Sequence, residues 1–143
     1  MPSYAAGSWC SPVMAHAVVV DPSVRVGVVV LTGHVTGGDM ARARRALVDV
    51  PEWEPGFRLV WDLTGADVVD VSPPGFDQFV ASARELHDRV GTGRVAFVTR
   101  RETVGVLVQL FGLLTADLGR TYTCVPTRAE AAEWLGVPLP VAG

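Results

Sequence analysis

The segment RLVWDLTGADVVDVSPPG, residues 58–75, decides the fold. Phe57 to Leu63 is a run of strand-forming residues that delivers Asp62 at its carboxyl end. A turn opens at Asp62, a short apolar run follows from Ala66 to Val71, and Ser72 before Pro73 marks a helix start. A strand that presents an acid and leads into a helix N-terminus is how open α/β sheets build their working edge.

Outward from this segment the chain alternates strands and helices. Toward the N-terminus, Met14–Val20 and Val24–Leu31 flank the turn Asp21-Pro22-Ser23 and predict an antiparallel hairpin, which Thr32 to Val35 extends or closes. Thr36, with Asp39 three residues on, predicts an N-cap, and a helix follows over 38–48 with Met40, Ala43, Leu47 and Val48 on one face. Toward the C-terminus, 73–90 repeats Phe76, Phe79, Val80, Ala83, Leu86 and Val90 at helical spacing. Strands are predicted over 94–99 and 121–125, with a third helix over 102–118 between them. Thr127-Arg128-Ala129-Glu130 is a capping box that opens a last helix ending near Gly136. The expectation is a single α/β domain over 14–137, with four helices on a mixed, mainly parallel five-stranded sheet in the order ββαβαβαβα. Residues 1–13 carry no secretion signal and are expected to form a disordered leader, and 138–143 a frayed tail.

Composition narrows the function. The chain has 143 residues, enough for one core without metal or disulfides. It is 49% apolar with mean hydropathy +0.32, which suits strands covered on both faces. A net charge of −3 opposes general nucleic-acid binding. All twelve basic residues are arginine. The absence of lysine removes a phosphate-binding Walker loop, a Schiff-base enzyme, a protein kinase and a phospho-receiver domain. Cys124 lies in an apolar run and reads as a buried thiol; a disulfide with Cys10 is not expected, and a cytoplasmic location fits.

The glycine-closed second strand VVVLTGHVT, WDLTGADVVD, GRVAFVT and TRAEAAEWLG, in this order, resemble the SpoIIAA-like branch of the STAS superfamily, over about Met14 to Val137. The resemblance implies a non-catalytic bacterial domain related to anti-anti-sigma factors, whose partner is an anti-sigma-like kinase. In regulatory members an Asp-Ser-Ser-Gly turn carries the phosphorylated serine. Here Asp70 and Ser72 match in position, whereas Val71 and Pro73 do not. That departure makes the turn stiffer and bulkier, and aligns the chain with divergent STAS-like proteins, some of which are compared with lipid-binding SEC14 domains.

Several residues are candidates for function. Ser72 reads first as a helix N-cap and second as a phospho-acceptor or partner contact. Asp62, Asp67 and Asp70 are close in sequence but lack the spacing of a calcium loop, so turn chemistry is the simpler reading and no metal is expected. His34, at a strand end, would need a positioned substrate to move a proton; His16 and His87 are scattered. Arg100 and Arg101 follow a strand on the edge that carries Asp62 and would suit an anion. The expected working surface is Thr32–Thr36, Asp62–Ser72 (with Thr64) and Thr99–Arg101. In the third helix, Val104, Leu107, Val108, Phe111, Leu114 and Leu118 form one apolar face and Val106, Leu110 and Leu113 a second. The second face suggests a dimer contact or an apolar, lipid-like ligand, in a helix too short to cross a bilayer. No cofactor and no catalytic residue is expected.

Overall fold

The computed structural model describes residues 15–70 and 72–141. The expectations for the leader, Cys10 and Met14 included, lie outside them. Strand β1 (Ala15–Asp21) and strand β2 (Val26–Val35) form the antiparallel hairpin, with Asp21 accepting from the Ser23 N–H at 3.0 Å in the turn. Helix α1 (Gly37–Val48), β3 (Arg58–Asp62), β4 (Ala66–Val69), α2 (Pro73–Glu85), α3 (His87–Val90), β5 (Arg94–Val98), α4 (Glu102–Leu114), β6 (Thr121–Val125) and α5 (Arg128–Leu135) follow. The sheet runs β1-β2-β3-β5-β6, parallel after the first pair.

The fold class stands as read, with two additions. The sheet has a sixth strand. β2 outlasts β3 and leaves its end unpaired; after a register shift at Gly33/His34, β4 takes that place in parallel. The run Ala66–Val71 is therefore partly strand. The helix predicted over 73–90 breaks at Leu86 into α2 and α3, which makes five α-helices among the described residues. The third helix also stops early. It ends at Leu114, where the buried Thr115 donates its hydroxyl to the Phe111 carbonyl at 2.7 Å, and a 3-10 turn to Leu118 closes on left-handed Gly119. Leu118 returns to the core and Leu114 is left exposed, against its assignment to the buried face.

Alternation along the strands divides the apolar residues between two faces. Leu31, Leu59, Trp61, Val95 and Phe97 meet α1, α2 and α4. Val28, Val60, Ala96 and Val98 meet α5 through Ala131 and Leu135. After Val137, Leu139 packs on this second cluster, and the Pro140 carbonyl accepts from Arg128 at 2.7 Å. Cys124, read as buried, is exposed on β6, the sheet's last strand.

Two capped helix starts meet at the top of this layer. Thr36 and Asp39 form a reciprocal capping box on α1, and Ser72 caps α2 with Pro73 inside the first turn. The helices touch backbone to backbone at Gly37 and Gly75: a Cβ on Gly37 would lie 1.7 Å from the Gly75 carbonyl oxygen. No side chain can yield there, so α1 and α2 would have to separate. The variant G37A is expected to lose about 1–3 kcal/mol of stability or more, the range of an overpacked core. Urea denaturation checks this; a midpoint equal to wild type would refute the close approach.

Candidate functional site

The three segments read as one working edge do converge. The Gly33 N–H donates to the Gly65 carbonyl at 3.3 Å, Leu63 N–H to Val98 O at 2.9 Å, and Asp70 N–H to Val35 O at 2.7 Å. His34 pairs with Val68 across β2 and β4. The carboxyl ends of β2, β3 and β5 thus form one continuous rim, and β4 bridges it.

The side chains on this rim have different fates. Asp62 is buried; it accepts from the Thr64 N–H at 3.0 Å, the Thr64 hydroxyl at 2.7 Å and Arg128 Nη1 at 2.9 Å. Burial alone would raise its pKa, but the bonds from Thr64 and the guanidinium outweigh it, and the carboxyl lies below its ordinary value. Arg128 also holds the Pro140 carbonyl, so Asp62 anchors α5 and the chain's end to β3. It is closed to a partner, and its neighbour Thr64, though exposed, has its hydroxyl turned onto Asp62. Arg101 is likewise occupied, donating to the carbonyls of Ala66 and Asp67 and fastening β4 to the helix start; the suggested anion clamp keeps only Arg100 without a partner among the described residues. Sequence reading missed Arg128, because nothing within the TRAE cap signals a partner 66 residues away.

The other end of the rim is open. Thr64, Gly65, Asp67, Val68, His34, Pro73 and Pro74 are exposed, and Ser72 is half-buried. The Ser72 N–H donates to Asp70 Oδ1 at 2.9 Å and its hydroxyl to Asp70 Oδ2 at 3.1 Å, while Ser72 Oγ accepts from the Gly75 N–H at 3.4 Å. The bonds from the Ser72 backbone and side chain, with a smaller contribution from nearby His34, hold the Asp70 carboxyl below its ordinary value. Asp62, Asp67 and Asp70 do not converge: among the described residues no three His, Cys, Asp or Glu side chains are placed to hold a metal ion. On α4, Val106, Leu110 and Leu113 face solvent, 63%, 42% and 77% exposed. No described helix is long and apolar enough to cross a membrane.

An uncharacterized DUF3478-family protein with a SpoIIAA-like fold, from Shewanella loihica PV-4, superimposes on this chain with a TM-score of 0.61, covering 90% of this chain and 98% of that one. This chain has a SpoIIAA-like fold. The two share 15% sequence identity, so the likeness carries the fold alone. No family model matches the sequence. No curated protein matches it. The Ser72 turn lies after β4 at the start of α2, and Pro73 and Pro74 are exposed.

Asp62 makes a pH-dependent contribution with a defined sign. Its folded-state pKa is lowered, so the contribution is complete above the ordinary carboxylate value of 3.8 and fades as pH falls through the folded value. D62N is expected to cost about 1–3 kcal/mol at neutral pH, as for loss of a charge-assisted bond in a buried site. The gap in urea midpoint between wild type and D62N should narrow in acid; a gap that stays constant to pH 2 would contradict the ion pair.

Proposed function

We propose that this SpoIIAA-like domain acts without catalysis, as a regulatory protein-interaction module of the bacterial cytoplasm, and docks its partner on the open half of the rim. His34, Thr64 to Val68 and the Ser72 turn would make the contact. The observation that carries this reading is the state of Ser72. Its hydroxyl is bonded to a carboxylate and caps a helix, an arrangement that suits a switch better than a nucleophile. A phosphate on Ser72 would gain from the helix N-terminus but would meet the ionised Asp70 at close range. The Asp70–Ser72 bond would break, and the exposed turn would change both shape and charge. The partner implied by the fold's regulatory members is an anti-sigma-like kinase, and the proline-stiffened entrance here suits a partner shaped to it.

The experiment compares wild type, S72A and S72E immobilised in lysate of the source organism, with quantitative mass spectrometry of the retained proteins. S72A is expected to lose only cap stability, about 1 kcal/mol. At least one protein held by wild type and S72A should fall tenfold or more with S72E. Identical retention by all three would sink the switch.

Beneath the buried face of α4, the alternative of an apolar or lipid-like ligand meets a limit of space. The cavity there, lined by Met40, Leu63, Phe79, Phe97, Val108 and Phe111 among others, measures about 50 Å³. Ligand pockets run to roughly 300–1,000 Å³. Contact between two copies has more support, from the solvent-facing Val106, Leu110 and Leu113. Native mass spectrometry separates the two: we expect no lipid adduct and a dimer peak that L113E weakens, whereas a co-purifying lipid mass would restore the ligand reading.

A further inference from the structure

β6 ends the sheet with a bare edge. The Thr121 N–H donates to the Gly93 carbonyl at 3.1 Å, and the Val125 carbonyl accepts from the Thr99 N–H at 2.9 Å. Main-chain groups alternate along a parallel strand, so Thr121, Thr123 and Val125 face β5 while the N–H and C=O of Tyr122 and Cys124 point away from the sheet. No strand pairs with this side among the described residues. The sequence TYTCV is strand-forming and carries none of the charges, prolines or bulges that protect sheet edges.

Beside this edge lies a groove of about 1,030 Å³ between β6 and α4. Two glycines of α4 keep it open. A Cβ on Gly105 would sit 3.8 Å from Cys124 Sγ, and one on Gly112 3.5 Å from the Tyr122 ring, so a larger side chain at either position would fill the space. Val106 and Leu113 form the apolar crest on the helix side.

The charge around the groove has one dominant sign. Arg100, Arg101 and Arg120 line it, against a single acid, Glu102. Five other arginines pair with carboxylates. None of these three does so among the described residues: Arg101 donates to the Ala66 and Asp67 carbonyls, Arg120 donates to the Gly91 carbonyl at 2.8 Å and lies 3.1 Å from His87 Nδ1, and Arg100 has no partner. A protein of net charge −3 thus gathers three guanidiniums, none in a salt bridge among the described residues, beside one free strand edge.

We propose that the groove receives an extended acidic segment of a partner protein, added as a strand to β6. Its main chain pairs with the outward groups of Tyr122 and Cys124. Its carboxylates face Arg100 and Arg120, and its alternate apolar side chains lie against Val106 and Leu113. A second copy of the chain fits this edge poorly, because two-fold pairing at β6 brings the same three arginines together. The site is built from other residues than the Ser72 turn and stands or fails separately.

The probe is a displayed library of random eight-residue peptides selected on the wild-type chain, with the enriched sequences synthesised and titrated. They should be net negative, alternate acidic with β-branched or aromatic residues, and shift the backbone amide signals of residues 121–125. R100E should weaken them tenfold or more, and so should added salt. C124P removes an outward N–H without breaking a ladder bond and should weaken them similarly. R25E, the same charge change on the distant hairpin turn, should leave binding intact. Because R100E alters only an exposed side chain, it tests the site even if C124P folds poorly. Failure to enrich any peptide, an enriched pool without net negative charge, or binding indifferent to R100E would overturn the proposal. So would a dimer that C124P dissolves and L113E does not, which would put a second copy in the groove.

Discussion

Trp61 is fully buried at the middle of the sheet, and the helices of one face are arranged around it. Phe79 of α2 meets its ring edge-on at 5.5 Å, and Phe97 of β5 stacks beside it at 6.2 Å. Phe111 of α4 reaches Phe79 at 4.7 Å, and Tyr122 of β6 reaches Phe111 at 5.0 Å. Arg44 of α1 completes the cluster from above, its guanidinium 4.2 Å from the centre of Phe79 and 5.2 Å from that of Trp61. This cation is buried without a carboxylate, and burial lowers its pKa to about 9. Two ring faces, the Phe79 carbonyl at 3.0 Å and the Ser82 hydroxyl receive it instead of water. A buried charge is costly unless such partners are in place, so α1 and α2 are held in one relative position.

That position produces the candidate edge. With Arg44 bridging α1 to α2 about two turns below, the two helix starts are brought together at Gly37 and Gly75, and Ser72 is presented beside the end of β2. The edge then divides according to which polar groups are already satisfied. At one end Asp62, Arg128 and the Pro140 carbonyl close the chain upon itself. At the other the Ser72 turn and the exposed residues of β4 remain accessible. Arg101 marks the boundary, since it binds the backbone of β4 while its neighbour Arg100 turns toward the groove beside β6. The open parts of the edge are thus those whose polar groups folding did not consume.

Much of this was legible one element at a time. Thr36 with Asp39, Ser72 with Pro73, and Thr127 with Glu130 announce helix starts, and each N-cap bond forms; the box read at Thr127 stays half-made, since the Glu130 carboxylate accepts from the Thr127 hydroxyl and not from its backbone N–H. The exposed stripe Val106, Leu110 and Leu113 was visible as a second apolar face on a helix with room to bury only one. The misreadings share a cause. Ala66–Val69 is too short to declare itself a strand without knowing that β2 outlasts β3. Cys124 has an apolar neighbourhood in sequence, but its exposure depends on which strand ends the sheet. Leu114 is exposed, while Leu118 stays in the core as read, because the helix stops at Thr115, whose hydroxyl donates to the Phe111 carbonyl.

By itself, then, the sequence determined the order of strands and helices, their capped starts and the apolar faces, because hydrophobic periodicity and capping bonds involve residues only a few positions apart. The tertiary structure alone decided which polar side chains were left for function. Asp62 meets Arg128 across 66 residues, Arg44 meets Ser82 across 38, and Arg101 meets Ala66 across 35. The partners in such pairs are chosen by the packing of whole elements, and no local pattern records the choice.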